Sequence, residues 1–259
     1  MEIAVLVKQV PDTYSERRLR SADWVVDRDA GDAVIDEIDS KGVELGLQLV
    51  EKHGGEVTVV TMGPARAGEV LRKALAMGAD KAIHVSDEVL AGSDAVQTSA
   101  VLAAALRPGG FDVIICGNEA TDGRTASLPA MLAQRLGRAA VTSVVAIEVD
   151  GDRVSAERVV EGGAAKVSAV LPVVVSVNEK IGEPRYPNFK GIMAAKKKPV
   201  STLSAADLGL DPAGLGLANA STRVVSGSPR PAKAAGEKVV DDGSGGDQVA
   251  AFLAAQRLI

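Results

Sequence analysis

The sequence predicts an α/β protein built on a doubly wound, mostly parallel sheet, because apolar runs alternate with helical patterns four times before Gly137. The runs at residues 3–7, 56–62, 81–85 and 111–116 are short, and most of their side chains are apolar. Such runs are typical of strands that are buried on both faces. Aromatic residues make up only 2% of the chain, so we expect a core of Val, Leu, Ile and Ala.

Each predicted strand is followed by a helix whose start carries a recognisable signal. The carboxylates and the hydroxyl of residues 36–40 can cap a helix that ends at residues 54–55, which are both Gly. Pro64 suits the first turn of a second helix, and residues 93–94 can cap a third helix over residues 95–106. The fourth strand leads through a polar loop into a fourth helix.

The second half of the chain predicts additions to this sheet. Residues 144–149 and 153–160 flank a hairpin turn, and residues 164–177 alternate before an apolar run, so we interpret these stretches as added antiparallel strands. From about residue 200 the chain is rich in Gly, Ala, Pro, Asp and Ser, and such a composition buries little of its own surface. We therefore expect an α/β domain at residues 1–199 and an extended C-terminal arm at residues 200–259 that packs on another subunit.

Composition and charge argue against several functional classes. The net charge is −5 with both signs interspersed, which disfavours nucleic acid as a partner. No apolar run reaches the roughly 18 residues of a membrane span, so we expect no direct membrane insertion, and the early first strand leaves no room for a signal peptide. The single cysteine, Cys116, permits no internal disulfide and fits a reducing, cytoplasmic compartment. We interpret Cys116 as a core residue at the end of a buried strand.

The sequence offers no complete catalytic constellation and no metal site. The two histidines, His53 and His84, are far apart, and no ligand cluster has a familiar metal spacing. There is no Ser/His/Asp nucleophile signature, no Walker lysine loop and no GxGxxG after the first strand. Helix capping explains Asp36 and Asp39 more simply than acid–base catalysis does. These features favour a binding or scaffold role, or chemistry supplied by a cofactor.

The stretch from residue 111 to residue 137 carries the strongest functional signal. A buried strand, a polar loop and a helix start follow one another there, and a helix N-terminus offers free N–H groups and a favourable dipole to an anion. Thr125 and Ser127 add hydroxyls, and Arg124 adds a fixed charge. These features predict a nucleotide phosphate at residues 122–127, whereas a capped turn without a ligand explains the local pattern equally well.

Other segments are expected to reach the same place, because ligands on doubly wound sheets lie beyond the carboxyl ends of the strands. Three loops leave those ends, at residues 8–12, 62–64 and 117–125, and residues 36–39 precede a helix on the same side. One nucleotide could contact all four segments.

Several motifs, taken together and in order, resemble the β subunit of electron transfer flavoproteins. They span about residues 3–199. The matching stretches are VLVKQVPD at residues 5–12, Gly63-Pro64, ALAMGADKAIHV at 74–85, GNEATDGRT at 117–125, AERVVEGG at 156–163, EPRY at 183–186 and IMAAKKK at 192–198.

The resemblance implies an electron carrier rather than an enzyme. It implies a heterodimer with an α subunit that holds most of the FAD, and a β subunit that folds like adenine-nucleotide hydrolase domains without hydrolysing. The β subunit binds AMP as a structural ligand, or a second FAD in the electron-bifurcating branch. Electrons arrive from flavin dehydrogenases, such as the acyl-CoA dehydrogenases of fatty acid oxidation, and leave to a membrane quinone reductase or another acceptor.

The nucleotide site that the resemblance implies agrees with the one expected from the strand ends. Carried onto this chain, it comprises Leu6, Lys8, Asp36, Glu37, Ile38, Asp39, Met62, Gly63, Gly117, Asn118, Ala120, Thr121, Asp122, Gly123, Arg124, Thr125, Ala126 and Ser127.

The resemblance also implies a partner-recognition loop within residues 183–198. Phe189 stands where relatives often carry a Leu that inserts into the partner dehydrogenase, and the alternative is a Phe that packs on its own subunit. Lys196, Lys197 and Lys198 could steer an acidic partner, or form an ordinary solvated run. The residues expected at this surface are Tyr186, Pro187, Asn188, Phe189, Lys190, Ile192 and Met193.

On the flavin side the chain departs from the family pattern. Ala165 and Val159 replace residues that are often polar or acidic, and Thr13 stands where some relatives place an aromatic ring against the flavin. Arg158 is retained and could approach the flavin edge at the subunit interface, although an ordinary surface pair is the competing interpretation.

Two classes other than an electron carrier share the expected fold. A nucleotide sensor of the universal stress type is one, but the long arm and the EPRY and KKK motifs argue against it. An adenylate-transferring enzyme is the other, but it normally needs a glycine-rich phosphate loop where this chain has VKQVPD.

Overall fold

The structure is a computed structural model, and it confirms the predicted α/β class with a mostly parallel sheet. It describes residues 1–15, 17–228, 231–233, 235–236 and 238–259. The chain divides into two compact units, Met1–Ser226 and Gly227–Ile259. All of the strands that the structure describes lie in the first unit.

The elements alternate as the sequence predicts in the first half of the chain. The strands are β1 Glu2–Leu6, β2 Gln9–Pro11, β3 Ala33–Ile35, β4 Glu56–Met62, β5 Lys81–Val85, β6 Val113–Gly117, β7 Ala139–Asp150, β8 Arg153–Val160, β9 Gly163–Val170, β10 Val173–Val177 and β11 Val200–Leu203. The α-helices are α1 Glu37–His53, α2 Gly68–Met77, α3 Ala95–Leu106, α4 Leu128–Leu136, α5 Phe189–Ala195 and α6 Gly245–Ala255.

Nine strands form one sheet in the order β11-β5-β4-β1-β6-β10-β7-β8-β9, and β2 and β3 form a separate antiparallel pair. The chain builds outward from β1 through β4 to β5, then crosses back to place β6 on the other side of β1. The strand order therefore reverses at β1 and β6, and the carboxyl ends of these two strands border a crevice where such sheets hold ligands.

Each face of the sheet packs on its own pair of helices. Strand residues such as Ile3 and Val5 pack with α1 and α2, whereas their neighbours Ala4 and Leu6 pack with α3 and α4. This alternation follows from the two-residue side-chain period of a strand. Because both faces are covered, most side chains of the central strands are apolar, as the sequence predicts.

The expectation of added antiparallel strands is correct for the pairing of β8 with β7 and with β9, and it is wrong for β10, which is parallel to both of its neighbours. β7 and β10 are parallel to the main sheet, and β10 is inserted between β6 and β7. The physical reason is burial: all five residues of β10 are buried, as in a central parallel strand. Sequence order alone does not reveal that a late strand enters the middle of a sheet.

An excursion at residues 12–32 separates β2 from β3. Its base is closed by the N–H of Asp12, which donates to the carbonyl of Asp32 at 2.9 Å, and Leu19 and Val26 form an antiparallel bridge inside it. The excursion therefore begins directly after β2 and ends directly before β3.

Residues 200–226 belong to the first compact unit, which continues beyond residue 199. β11 pairs with β5, and Ala205 is buried in a cluster with Leu90 and Val101. Of the predicted arm, Gly227–Ile259 forms the second unit and contains α6. Its residues 229, 230, 234 and 237 lie outside the described residues, and packing of the arm on another subunit stays a prediction.

Candidate functional site

Three aspartates meet where the sheet reverses its strand order. Asp36 and Asp39 lie at the start of α1, and Asp122 lies in the loop after β6. Each of their carboxylates binds groups from a different segment, so together they join the ends of β1 and β6 and the excursion.

Asp36 is fully buried and performs two tasks with its two oxygens. One oxygen accepts from the N–H of Ile38 at 3.0 Å, which caps α1 as the sequence predicts. The other accepts from both the N–H of Thr121 at 2.7 Å and its hydroxyl at 2.8 Å. The helix cap therefore also fixes the loop after β6.

Asp39 bridges the two strands at the crevice. One carboxylate oxygen accepts from the N–H of Lys8 at 2.8 Å, and the other accepts from the N–H of Gly117 at 3.1 Å. Burial, and after it the charge of Asp36, raises the pKa of Asp39 to about 8, against the opposing effect of the two N–H donors and Lys8. A side chain at position 117 would collide with this carboxylate, which explains the glycine there.

Asp122 pairs with two cations. Lys8 Nζ lies 2.7 Å from one oxygen, and the guanidinium of Arg28 donates to the other at 2.7 and 3.2 Å. Burial by itself raises the pKa of Asp122, but Lys8 and Arg28 outweigh it and hold that pKa below its usual range. Asp122 therefore carries its charge within the protein and serves to hold Lys8 and the excursion in place.

The loop after β6 presents backbone donors at its far end. Arg124 and Ala126 have positive φ angles of 55° and 56°, so the backbone turns sharply just before α4. Within the described chain, no acceptor is present for the N–H groups of Ala126, Ser127 and Leu128. Pro129 follows in the first turn of α4 and has no N–H. The unpaired N–H groups at the start of this helix are therefore those of residues 126–128.

Two buried polar atoms of the same loop lack a partner among the described residues. They are Oδ1 of Asn118 and the hydroxyl oxygen of Ser127. Ser127 occupies the N-cap position of α4, yet its side chain makes no capping hydrogen bond. Leaving such atoms unsatisfied in the protein costs about 1–3 kcal/mol each, so their position favours a bound polar ligand.

The charge of Arg124 is engaged within the loop. Its guanidinium pairs with Glu119 at 3.0 Å, and its N–H donates to the carbonyl of Ala120. Thr125 is exposed, and its N–H donates to the carbonyl of Gly123. The fixed charge expected from the sequence is therefore partly neutralised by a neighbour.

The remaining predicted nucleotide residues border the same crevice. Leu6 is buried at the end of β1, Ile38 is buried in the first turn of α1, and Glu37 beside it is exposed. Met62 ends β4, and the carbonyl of Gly63 accepts a hydrogen bond from Nε2 of His84 at 3.1 Å. A carbonyl can only accept, so this nitrogen carries the hydrogen.

Arg158 lies at the same end of the sheet as the crevice. Gly117, Val177, Val144 and Arg158 stand side by side on β6, β10, β7 and β8. Three strand spacings of about 4.8 Å separate Gly117 from Arg158, or roughly 14 Å. One guanidinium nitrogen of Arg158 lies 3.4 Å from the hydroxyl of Thr142, and its buried Nε has no partner within the described residues.

Thr13 is exposed in the first turn of the excursion. The aromatic ring of this turn belongs to the next residue, Tyr14, whose surface is 99% exposed. The N–H of Tyr14 donates to the carboxylate of Asp12 at 3.0 Å, which fixes the turn. Thr13 therefore lies on the surface next to the aromatic side chain of Tyr14, a residue that the sequence did not indicate.

The predicted recognition residues form an exposed apolar surface. Tyr186 is 94% exposed, Phe189 is 80% exposed, and Ile192 and Met193 are about half exposed. This exposure of Phe189 suits an anchor for a partner, and that role stays a prediction. Pro187 is half-buried, Lys190 is exposed, and Asn188 has a structural task, since its side chain caps α5 by accepting from the N–H of Gly191.

Several residues at the crevice were missed by sequence reasoning. Arg28 reaches Asp122 from the excursion, Arg17 donates to the carbonyl of Thr121 at 2.6 Å, and Arg66 donates to the carbonyl of Arg28 at 3.0 Å. The arginines of the excursion stand close together in the sequence, but their spacing does not indicate what they bind. Their acceptors are distant in sequence and could not be identified from it.

Other kinds of site are not found in the part of the chain that the structure describes. Among those residues, no helix is long and apolar enough to cross a bilayer. No group of three or more His, Cys, Asp or Glu side chains among them could hold a metal ion.

The fold and the crevice define an α/β protein of the class that holds ligands at the carboxyl ends of its parallel strands. Comparison with known proteins narrows this class. Residues 23–208 match the family model of the electron transfer flavoprotein domain. The electron transfer flavoprotein subunit beta of Mycobacterium leprae is 51% identical over 99% of both chains, and that of Thermoanaerobacterium thermosaccharolyticum is 39% identical over 92% of this chain and 91% of its own.

The chain therefore belongs to the electron transfer flavoprotein family, as a β subunit. This assignment confirms the resemblance seen in the sequence motifs. It makes the chain part of an electron carrier with a flavoprotein partner, since a β subunit implies an α subunit.

Proposed function

We propose that this chain, together with an α subunit that holds most of the FAD, carries electrons from flavin dehydrogenases, such as acyl-CoA dehydrogenases, to a quinone reductase or another acceptor. In this proposal the β subunit binds AMP, encloses one side of the FAD and presents the docking surface. It performs no catalytic step of its own, and we place the complex in the cytoplasm, where the single cysteine stays reduced.

The observation that carries the AMP proposal is the set of unsatisfied polar groups at the crevice. The N–H groups of Ala126, Ser127 and Leu128 suit the phosphate of a nucleotide. The oxygens of Asn118 and Ser127 can accept from an amino or hydroxyl group of the same ligand. A mononucleotide has both kinds of group, so the residues present fit AMP.

The carboxylates of the crevice have a supporting role in this proposal. Asp36, Asp39 and Asp122 already bind groups of the protein, and the negative charges of Asp36 and Asp122 would repel an anion. We therefore assign them to holding the loops, whereas the backbone of residues 126–128 contacts the phosphate. Lys8 and Arg28 offset part of the negative charge nearby.

Arg158 and the turn at Thr13 would face the flavin of the α subunit. The buried Nε of Arg158 has no partner in the described chain, and it lies in the row of residues that starts at the crevice. Arg keeps its charge at any physiological pH, so it can stabilise a reduced, negatively charged flavin. At the Thr13 turn, the exposed ring of Tyr14 supplies the aromatic surface that some relatives have one residue earlier.

The test is to co-express the chain with its α subunit, purify the pair and quantify the released nucleotides. One FAD and one AMP per heterodimer is the expected result. Two FAD and no AMP would replace the AMP proposal by an electron-bifurcating role. A stable, flavin-free homodimer that binds ATP would overturn the electron-carrier proposal itself.

Asn118→Ala and Ser127→Ala are the matched variants for the nucleotide site. Each should lower the AMP content of the purified heterodimer while leaving one FAD bound. Ser93→Ala is the control, because the hydroxyl of Ser93 is also buried without a partner but lies outside the crevice residues. An unchanged AMP content in both site variants would contradict the assignment.

A further inference from the structure

We propose that Arg185 and Lys198 are positioning residues for docking, because they fix both ends of the recognition segment, defined here as residues 183–198. The inference rests on the proposed function of that segment as the docking surface for a flavin dehydrogenase. It assigns the position of the surface to two residues whose charged groups bind helices of this chain.

Arg185 ties the start of the segment to helix α1. Its guanidinium donates to Glu44 at 2.7 and 3.0 Å and to Glu51 at 2.6 and 3.1 Å, and its own N–H donates to Glu44 at 3.1 Å. Hydrogen bonds to Glu44 and then Glu51 raise the pKa of Arg185 further above its usual value. A planar guanidinium between two carboxylates fixes direction as well as distance, which a lysine cannot do.

Lys41 strengthens the same attachment. It is buried on α1, and its ammonium donates to the carbonyl of Glu179 at 2.7 Å and to the carboxylate of Glu183 at 3.1 Å. The residues just before and at the start of the segment are therefore bound to α1 at several points.

Lys198 ties the end of the segment to helix α2. Its ammonium donates to the carbonyls of Leu75, Gly78 and Ala79 at 3.1, 3.0 and 2.6 Å. These carbonyls lie at the C-terminus of α2, where a cation is favoured by the helix dipole. Lys198 is thus not available to steer an acidic partner, and of the predicted lysine run only Lys196 and Lys197 are exposed.

Between the two ends, α5 lies directly on α2. A Cβ atom at Gly191 would stand 2.4 Å from the carbonyl oxygen of Ala76, so only glycine permits this approach. The side chain of Asn188 caps the start of α5 by accepting from the N–H of Gly191. Phe189, Ile192 and Met193 are consequently left exposed on a short helix whose position is already set before a partner arrives.

A prepositioned docking surface binds more tightly than a loose one, because less conformational freedom is lost in the complex. Loss of the Arg185 attachment should therefore raise the KM of the heterodimer as electron acceptor for an acyl-CoA dehydrogenase. We expect a rise of about 10-fold, the effect of ordering one or two rotamer-rich side chains at docking. The rate at saturation and the flavin reduction potential should not change, because neither residue lies at the crevice.

The decisive test is a double-mutant cycle between Arg185→Gln and Phe189→Ala in the intact heterodimer. If Arg185 acts through the position of Phe189, the double variant should have nearly the same KM as Phe189→Ala alone. Lys81→Gln is the matched control, since it removes an ion pair with Glu56 at the amino end of β5 and should leave KM unchanged. If Arg185→Gln folds poorly, the test is repeated with Arg185→Lys and with Lys198→Met, which keeps an apolar stem.

The outcomes separate this inference from the function on which it rests. Unchanged KM in Phe189→Ala would show that the docking surface itself is wrongly assigned. A raised KM in Phe189→Ala with unchanged values in Arg185→Gln, Arg185→Lys and Lys198→Met would overturn the positioning role alone. Fully additive effects in the double variant would also overturn it.

Discussion

Two glycines, one at the end of β6 and one in the loop after it, make a sharp test of the crevice. Gly117→Ala places a Cβ atom 2.7 Å from the carboxylate oxygen of Asp39 and 3.2 Å from a methyl group of Ile38. Gly123→Ala, six residues further on, places its Cβ atom 3.8 Å from Lys8 Nζ and meets no other atom within 4 Å. Neither glycine has a positive φ, so the two variants differ in contact rather than in backbone strain.

The cost of Gly117→Ala follows from the fixed position of Asp39. The carboxylate cannot simply move aside, because its other oxygen holds the N–H of Lys8 at 2.8 Å. Overpacking of a well-packed site costs about 1–3 kcal/mol, and leaving a buried polar group without its hydrogen-bond partner costs about 1–3 kcal/mol. The two costs do not add fully, because moving the carboxylate relieves part of the clash. We therefore expect Gly117→Ala to lower the free energy of unfolding by about 3 kcal/mol. Gly123→Ala should instead stabilise by up to about 1 kcal/mol, because Ala restricts the unfolded chain.

Urea unfolding of the purified protein, followed by circular dichroism, measures both changes. The same samples should be analysed for bound nucleotide, and only Gly117→Ala should lose it. The reasoning would be refuted by equal unfolding midpoints for the two variants, or by a Gly117→Ala protein with wild-type stability and unchanged nucleotide content.

Three further predictions concern buried ionisable groups. Asp122→Asn should lower the free energy of unfolding by about 2 kcal/mol, because hydrogen bonds to charged groups are lost. In the wild type the folded-state pKa of Asp122 is lowered. The difference in unfolding free energy between wild type and variant, measured with urea, should therefore persist above about pH 4 and shrink in stronger acid. Asp39 has its folded pKa raised from 3.8 to about 8, so the folded state keeps an extra proton between these values and stability should fall as the pH rises through them; Asp39→Asn should remove that slope in unfolding curves taken from pH 5 to 8, and an unchanged slope would contradict the assignment. Burial raises the pKa of the Cys116 thiol far above its usual value, so a maleimide should label it only after unfolding, and rapid labelling of the folded protein would show that β6 opens locally.

Regular elements could be predicted from sequence where local signals agree. The bounds of β4, β5 and α3 match the expected residues 56–62, 81–85 and 95–106, because each element combines an apolar pattern with clear end signals. The position of β10 could not be predicted. A buried apolar strand fits any central place in a sheet, and pairing with both β6 and β7 depends on contacts distant in sequence.

The candidate site was predictable only at the level of segments. Strand ends and the capping residues Asp36 and Asp39 indicated which loops converge. What each polar side chain does there depends on distant partners, such as Arg28 for Asp122, and on orientation. Lys198 illustrates the second point: a run of three lysines resembles a solvated surface, yet the last of them is turned inward to a helix end.

The excursion at residues 12–32 also gives the protein an optical property. It contains Trp24, the only tryptophan of the chain, which is half-buried and whose backbone N–H donates to the carbonyl of Arg20. Arg28, which binds the excursion to Asp122, lies four residues further on. The indole emission of this chain therefore originates from this one segment, and its wavelength reports the polarity around the excursion without any attached dye.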